Sequence, residues 1–262
     1  MQERHQNKEQ YFKEQETTTG KFVIPYLTDT IKITAQTEVL EIGCAEAGNL
    51  KPFLDVGCLT TGIDISCGRI DLARQFFADH PNRNRLELIC ADSYKVDLKG
   101  KTFDLIIMRD VIEHIPNQEM FMHYVKLFLK PDGRFFIAFP PWQNPFGGHQ
   151  QVCNNRVLSK LPWFHLLPRN LYKLILDTFE RNQKRTKGLL DIKETGLSID
   201  RFERILRFEN YKIEKRTFYL INPNYHTKFN IRPRKQISLV TAIPYIRNFF
   251  TTAAYYIVSK QQ

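Results

Sequence analysis

The sequence predicts an α/β fold: a doubly wound, mostly parallel, seven-stranded sheet with helices on both faces and a helical cap inserted after the fifth strand. Three observations lead there. Short apolar runs that end in small or acidic residues alternate with helical stretches from residue 39 to residue 141. One run, Phe103 to Met108, is apolar nearly throughout, as a strand covered on both faces requires. The alternation lapses after Pro140-Pro141 and resumes near residue 197 with a helix and two more strand signals.

In chain order, residues 1–19 are polar and read as a helix or loose arm. Phe22, Val23, Tyr26, Leu27, Ile31 and Ile33 then recur as one face of an amphipathic helix packed on the core. Val39 to Ile42 is the first strand, and it runs into the small-residue turn Gly43-Cys44-Ala45-Glu46-Ala47-Gly48. Asn49 to Val56 is helical, Leu59 to Ile65 is a strand, Arg69 to Asp79 is helical, and Leu86 to Cys90 and Phe103 to Met108 are strands. Gln118 to Leu129 is helical and stops at Lys130-Pro131-Asp132-Gly133, a turn signal. Arg134 to Phe139 is the fifth strand, Ser198 to Phe208 a helix, and Tyr211 to Leu220 and Ala253 to Val258 the last strands. Residues 225–248 form a basic, irregular insertion. The expected division is an N-terminal helical arm over 1–36, a core over 37–141 and 197–262, and a cap over 142–196.

Composition narrows the class. Of 262 residues, 42% are hydrophobic and 25% charged, which is the balance of a globular protein able to bury its own core. The first residues lack the apolar stretch of a secretory leader, and no run is long enough to span a bilayer. A cytoplasmic location is expected, with peripheral contact at a membrane left open. The 5 cysteines form no C-x-x-C pair and read as reduced, mostly buried thiols rather than a disulfide frame or zinc site. The net charge of +10 is uneven. Residues 1–150 carry 17 basic against 20 acidic side chains, and residues 151–262 carry 21 against 8. A basic half of this kind attracts an anionic substrate, a membrane surface or nucleic acid; an RNA-binding signature is missing, which places nucleic acid last.

The strand tips carry the chemistry. Small residues at Gly43, Cys44, Ala45 and Gly48 let a ligand approach the backbone, and the helix that follows offers free N–H groups. Gly43-x-Ala45-x-x-Gly48 is a degraded dinucleotide fingerprint, and alone it also fits a nicotinamide-dependent dehydrogenase. Glu41, two residues before Gly43, points elsewhere: a carboxylate repels a pyrophosphate but attracts the cationic amino-acid end of S-adenosylmethionine. Asp64 follows the second strand and can accept from both ribose hydroxyls. Asp92, in Ala91-Asp92-Ser93, can accept from an adenine amino group, and Arg109-Asp110 ends the fourth strand.

From about Glu38 to Pro140 the chain resembles the class I S-adenosylmethionine-dependent methyltransferases, a Rossmann-like fold, and within them the small-molecule group that includes the ubiquinone-biosynthesis O-methyltransferases. The resemblance rests on Leu40-Glu41-Ile42-Gly43, Gly62-Ile63-Asp64-Ile65, Ala91-Asp92, Phe103-Asp104-Leu105-Ile106, Asp110-Val111-Ile112-Glu113-His114-Ile115 and Leu129-Lys130-Pro131-Asp132-Gly133, in that order. It implies that Glu41, Gly43, Asp64, Asp92 and Asp110 line the cofactor, with Ile65 and Ser93 flanking the adenine. The family turn carries glycine where this chain has Ala45, and often where it has Ala47. Alanine is harmless there if φ is negative and costs roughly 1 kcal/mol if φ is positive.

Methyl transfer is an in-line displacement, so an enzyme must align the acceptor and, for a hydroxyl, remove its proton. The Asn/Asp-Pro-Pro-aromatic pattern of many amino-group methyltransferases does not follow the fourth strand, and Pro140-Pro141-Trp142 comes after the fifth. That favours an oxygen on a small-molecule, glycan or lipid-linked acceptor. His149, in Phe146-Gly147-Gly148-His149, and His114 are the candidate bases. Some relatives bind a divalent metal through an acid-x-x-Glu-His pattern, which here implies Asp110, Glu113 and His114 as an alternative ligand set. Two further readings remain: an RNA or protein methyltransferase, suggested by the basic half, and a non-catalytic cofactor-binding scaffold, suggested by the two alanines.

Overall fold

A computed structural model describes residues 7–261. The polar N-terminal stretch is helical from Lys8 to Thr18 (α1), passes through a wider turn at Thr19–Val23 and continues as Ile24–Leu27 (α2). Residues 1–6 of the expected arm lie outside the described residues. The Asn7 side chain accepts from the Gln10 N–H at 3.0 Å and so caps α1. The helix ends before Ile31 and Ile33, which nevertheless pack against the core as extended chain.

The core alternates β1 (Glu38–Ile42), α3 (Lys51–Val56), β2 (Leu59–Asp64), α4 (Cys67–Phe76), β3 (Leu86–Cys90), β4 (Phe103–Arg109), α5 (Gln118–Val125) and β5 (Leu129–Phe139). Residues 142–196 follow with α6 (Arg169–Phe179) and α7 (Gln183–Thr195) around a small core of their own that includes Phe164, Tyr172, Leu176 and Leu189. Then come α8 (Ile199–Phe208), β6 (Tyr211–Ile221), α9 (Asn224–Phe229), β7 (Arg234–Lys235), α10 (Ser238–Ala242), α11 (Ile246–Phe250) and β8 (Ala253–Lys260).

The strands form one sheet in the order β3-β2-β1-β4-β5-β8-β6-β7. Among the described residues it has eight strands rather than seven. The added one is the two-residue edge strand Arg234–Lys235, too short and too basic to show as a hydrophobic run. Strands β1 to β5 pair in parallel and β8 runs against its neighbours. Side chains alternate across the sheet: Leu40, Ile106 and Met108 enter the core under α5 and α8, while Val39, Leu105 and Ile107 enter the core under α1 and α3. The turn signal Lys130 to Gly133 also resolves differently. It lies inside β5, where a register shift opposite Phe103 and Leu105 bows it out of the ladder.

The five-thiol expectation is corrected as well. Cys67 and Cys90 form a disulfide, while Cys44, Cys58 and Cys153 are free and buried. Asp64 pairs with Cys90 across β2 and β3, and α4 begins three residues after Asp64, so the two sulfurs meet. A separation of 23 residues carries no local signal of that pairing.

Sequential strands β1, β2, β3 step to one side and β4, β5 to the other. The switch point therefore lies between β1 and β4, at their carboxyl ends, where Glu41 pairs with Ile107.

Candidate active site

At the tip of β1 the chain turns sharply. Gly43 has φ +74°, and a side chain there would collide with Val111 at 2.5 Å. Ala45 and Ala47 also have positive φ, 54° and 61°, so the two departures from glycine fall where a methyl group is strained. Helix α1 lies directly on this turn. A Cβ on Gly48 would sit 2.5 Å from the Phe12 carbonyl, and Lys8 reaches the buried Glu46 carboxylate at 3.1 Å.

Glu41 is buried. One oxygen accepts from Asn49 Nδ2 at 2.6 Å, and the other has no hydrogen-bond partner. Burial pushes its carboxyl up to about 8, with the Arg109 charge opposing. An unpartnered, desolvated carboxylate oxygen suits a cationic ammonium, which is the fit the amino-acid end of S-adenosylmethionine requires. Asn49 was not visible as a site residue in the sequence. It also accepts from Arg109 Nη1 at 2.8 Å and from Thr19 Oγ1 at 2.9 Å. Arg109 Nη2 donates to Asn224 Oδ1 at 2.7 Å and Nη1 to Thr19 Oγ1, so the guanidinium is held by the wide turn after α1, the β1 turn and α9 together. Asp110, at φ 53°, accepts weakly from Asn224 Nδ2 at 3.4 Å. Tyr11, Gln15, Thr18, Asn49, Arg109 and Asp110 line the resulting pocket between α1 and α9.

Across the turn, Asp64 Oδ2 accepts from the Ala45 N–H and Oδ1 from the Ser66 N–H, both at 2.8 Å. Each oxygen keeps a second lone pair for a ribose hydroxyl. Ala91 donates its N–H to the Asp64 carbonyl at 3.0 Å, which sets the β3 tip beside the β2 tip. Asp92 Oδ1 accepts from the Tyr94 N–H at 3.0 Å, Ile65 is 75% exposed, and Ser93 is half-buried. The Cys67–Cys90 disulfide lies on this same rim.

The third part of the site follows β4. Glu113 and His114 occupy a short 3-10 turn, Ile112–His114. His149, at φ 57°, comes from the loop after β5. The His114 and His149 rings meet edge to face, 4.9 Å between centroids, and each Nε2 lies 3.9 Å from Glu113 Oε1. Glu113 is 4% exposed, neither carboxylate oxygen has a hydrogen-bond partner, and burial holds its carboxyl well above the usual range. Burial lowers His114, with the Asp110 charge opposing, so the imidazole is neutral at physiological pH and able to accept a proton. Helix α7 braces this turn, since Thr195 Oγ1 donates to the Glu113 carbonyl at 2.6 Å and Gln118 Nε2 bridges the Ile112 and Thr195 carbonyls at 2.9 Å each. Among the described residues Glu113, His114 and His149 form a group with metal-ligand spacing, their ligand atoms within 4.8 Å of one another; Asp110 is not part of it.

Residues 40–137 match the family model described as a methyltransferase domain. A sterol 4-C-methyltransferase of Caenorhabditis elegans is 25% identical over 112 residues, 43% of this chain and 34% of the relative. A ubiquinone biosynthesis O-methyltransferase of Glaesserella parasuis is 31% identical over 123 residues, 44% of this chain and 50% of the relative. The chain thus spans half or less of the length of these curated relatives. Among solved structures, a putative sarcosine dimethylglycine methyltransferase from Galdieria sulphuraria superposes with a TM-score of 0.62 at 13% identity, covering 93% of this chain and 85% of that one. A S-adenosylmethionine-dependent methyltransferase from Clostridium acetobutylicum superposes with a TM-score of 0.58 at 12% identity, covering 94% and 92%. At such identities these likenesses establish the fold.

Proposed function

We propose that the chain, whose residues 40–137 match a methyltransferase domain, is a class I methyltransferase that transfers a methyl group from S-adenosylmethionine to an oxygen of a small-molecule, glycan or lipid-linked acceptor. The observation that carries the reading is the convergence of two imidazoles, His114 and His149, at the carboxyl edge where Glu41, Asp64 and Asp92 line successive strand tips.

The bound cofactor supplies a methyl group already activated by a sulfonium leaving group. Glu41 and the Asn49–Arg109 network hold its amino-acid end, Asp64 its ribose, and Asp92 with Ile65 and Ser93 its adenine. His149, on the loop beyond β5, takes the proton from the acceptor hydroxyl at Nε2. His114 packs edge-on against that ring and fixes its orientation. Glu113, 3.9 Å from both Nε2 atoms, is raised by burial and gives up its own proton only as an imidazolium forms beside it. The test is a radiolabel methylation assay over catechol, sugar and prenylated phenol acceptors. Turnover on none of them, with cofactor bound, would retire the oxygen-acceptor reading and leave the RNA or protein methyltransferase and the scaffold.

A second reading has its own observation. One carboxylate and two imidazoles within 4.8 Å make a donor set for a divalent transition metal such as Mn²⁺, Fe²⁺ or Zn²⁺. Bound there, a metal would supply Lewis-acid activation of the acceptor oxygen, with Glu113, His114 and His149 as its ligands. Turnover that survives exhaustive chelation excludes it.

A further inference from the structure

Residues 222–252 connect the end of β6 to the start of β8 and rejoin the sheet between them only at the two-residue edge strand β7. Tyr219 pairs with Ala253 and with Lys235, and Phe139 at the end of β5 pairs with Ala254. The whole segment therefore stands at the carboxyl edge of the parallel strands, the edge that carries the candidate site. Its first helix touches that site, because Asn224 bonds both Arg109 and Asp110.

The segment turns apolar side chains outward. Leu239 is 72% exposed, Tyr245 61%, Ile237 60%, Ile246 43% and Ile243 41%. Arg232, Arg234 and Lys235 are exposed alongside them. No aspartate or glutamate occurs anywhere in residues 215–262, while eight lysines and arginines do, three of which (Lys215, Arg216 and Arg247) pair with acids from other elements. A water-facing surface rarely gathers so many aliphatic side chains in one run, and a run with cations and no anions selects for a negatively charged neighbour.

We propose that residues 229–250 are an interfacial docking element for an anionic phospholipid surface, with Ile237, Leu239, Ile243 and Ile246 entering the headgroup–acyl boundary and Arg232, Arg234 and Lys235 meeting lipid phosphates. Aliphatic side chains decide between anionic partners. Exposed Ile231, Ile237, Leu239, Ile243 and Ile246 outnumber the exposed rings Phe229, Tyr245 and Phe250, and aliphatic side chains partition into hydrocarbon but give a nucleic-acid base nothing to stack on. A second copy of the chain is disfavoured because two identical basic patches repel each other. Each basic side chain near an anionic leaflet strengthens binding by about fivefold, and each apolar side chain that inserts adds a further share. Docked in this way, the carboxyl edge faces the bilayer, so a lipid-linked acceptor reaches the histidines without leaving the membrane surface. That consequence rests on the methyl-transfer reading; the docking itself does not.

The test is flotation of the full chain with vesicles of phosphatidylcholine alone and of phosphatidylcholine with phosphatidylglycerol, at low and at high salt. The bound fraction is expected to rise about tenfold or more on the anionic vesicles and to fall in high salt. Arg234→Glu with Lys235→Glu should abolish the anionic preference, and Leu239→Asp with Ile243→Asp should lower binding to both vesicle types. All four side chains are exposed or partly exposed, so melting temperature and cofactor binding by calorimetry should stay at wild-type values. Wild-type chain that remains unbound with both vesicles overturns the proposal. So does binding to single-stranded RNA without vesicle binding, or a dimer whose formation is abolished by Leu239→Asp. If the wild-type chain binds no cofactor, catalysis falls while the flotation result still decides the docking.

Discussion

Asp64 accepts a 2.8 Å hydrogen bond from the backbone N–H of Ala45, so the acid at the tip of the second strand clamps the strained turn that follows the first. One side chain thereby links the shape of the turn to the place where a ribose would lie. Asp64→Ala should lower cofactor affinity by a factor of ten or more, the scale of one charge-assisted hydrogen bond lost with the turn's clamp (about 1.5–3 kcal/mol). Isothermal calorimetry with S-adenosylmethionine reads it, and unchanged affinity would place the ribose elsewhere.

Ala45 and Ala47 stand at φ 54° and 61°, values that glycine adopts without strain. Ala45→Gly should raise stability by up to about 1 kcal/mol. Ala47→Gly should gain less, because its methyl is fully buried and its contacts are lost. Thermal melts separate the two. Loss of stability in Ala45→Gly would mean that methyl packing outweighs the backbone strain.

His149→Ala should leave cofactor binding intact and reduce turnover by about 10²-fold or more, the usual contribution of a positioned base. His114→Ala should reduce it less, acting through the orientation of its neighbour. Because the base must be neutral, turnover in the wild type should fall as the solution is acidified. A histidine-free variant with undiminished turnover would show that the acceptor loses its proton by another route.

Glu41 gives stability a pH signature. Its carboxyl is pushed up to about 8 in the folded chain, and an unfolded carboxylate titrates near its ordinary value, so between the two the folded state holds a proton the unfolded state has lost. Stability therefore decreases as pH rises through that window, by up to about 1.4 kcal/mol per pH unit for one group. Glu113, also raised by burial, acts in the same direction. Glu41→Gln should flatten the decline between about pH 5 and 8. Parallel melting profiles for variant and wild type would show that Glu41 is ionised in the folded protein.

The disulfide makes a redox prediction. Closing a 23-residue separation restricts the unfolded chain by about 3 kcal/mol in the chain-entropy view. Dithiothreitol should lower the melting temperature of the wild type and leave that of Cys67→Ser unchanged. An equal response from both proteins would mean that the bond is not formed in solution.

The sequence by itself determined the parallel core and the line of carboxylates along it. Those features are local: a strand's apolar run, the small residues of a turn and an acid at a strand end are each read within a few positions, and the order of strand tips follows the order of the chain. It also held His114 and His149 as separate candidates. Only the tertiary structure decided that the two rings touch across a buried Glu113, that Asn49 joins Glu41 to Arg109, that Cys67 meets Cys90, and that a two-residue edge strand ends the sheet. Each is a contact between segments whose spacing in the chain carries no period. The folding of the sheet and the burial it imposes bring these side chains together, and burial is also what makes Glu41 and Glu113 unlike ordinary carboxylates.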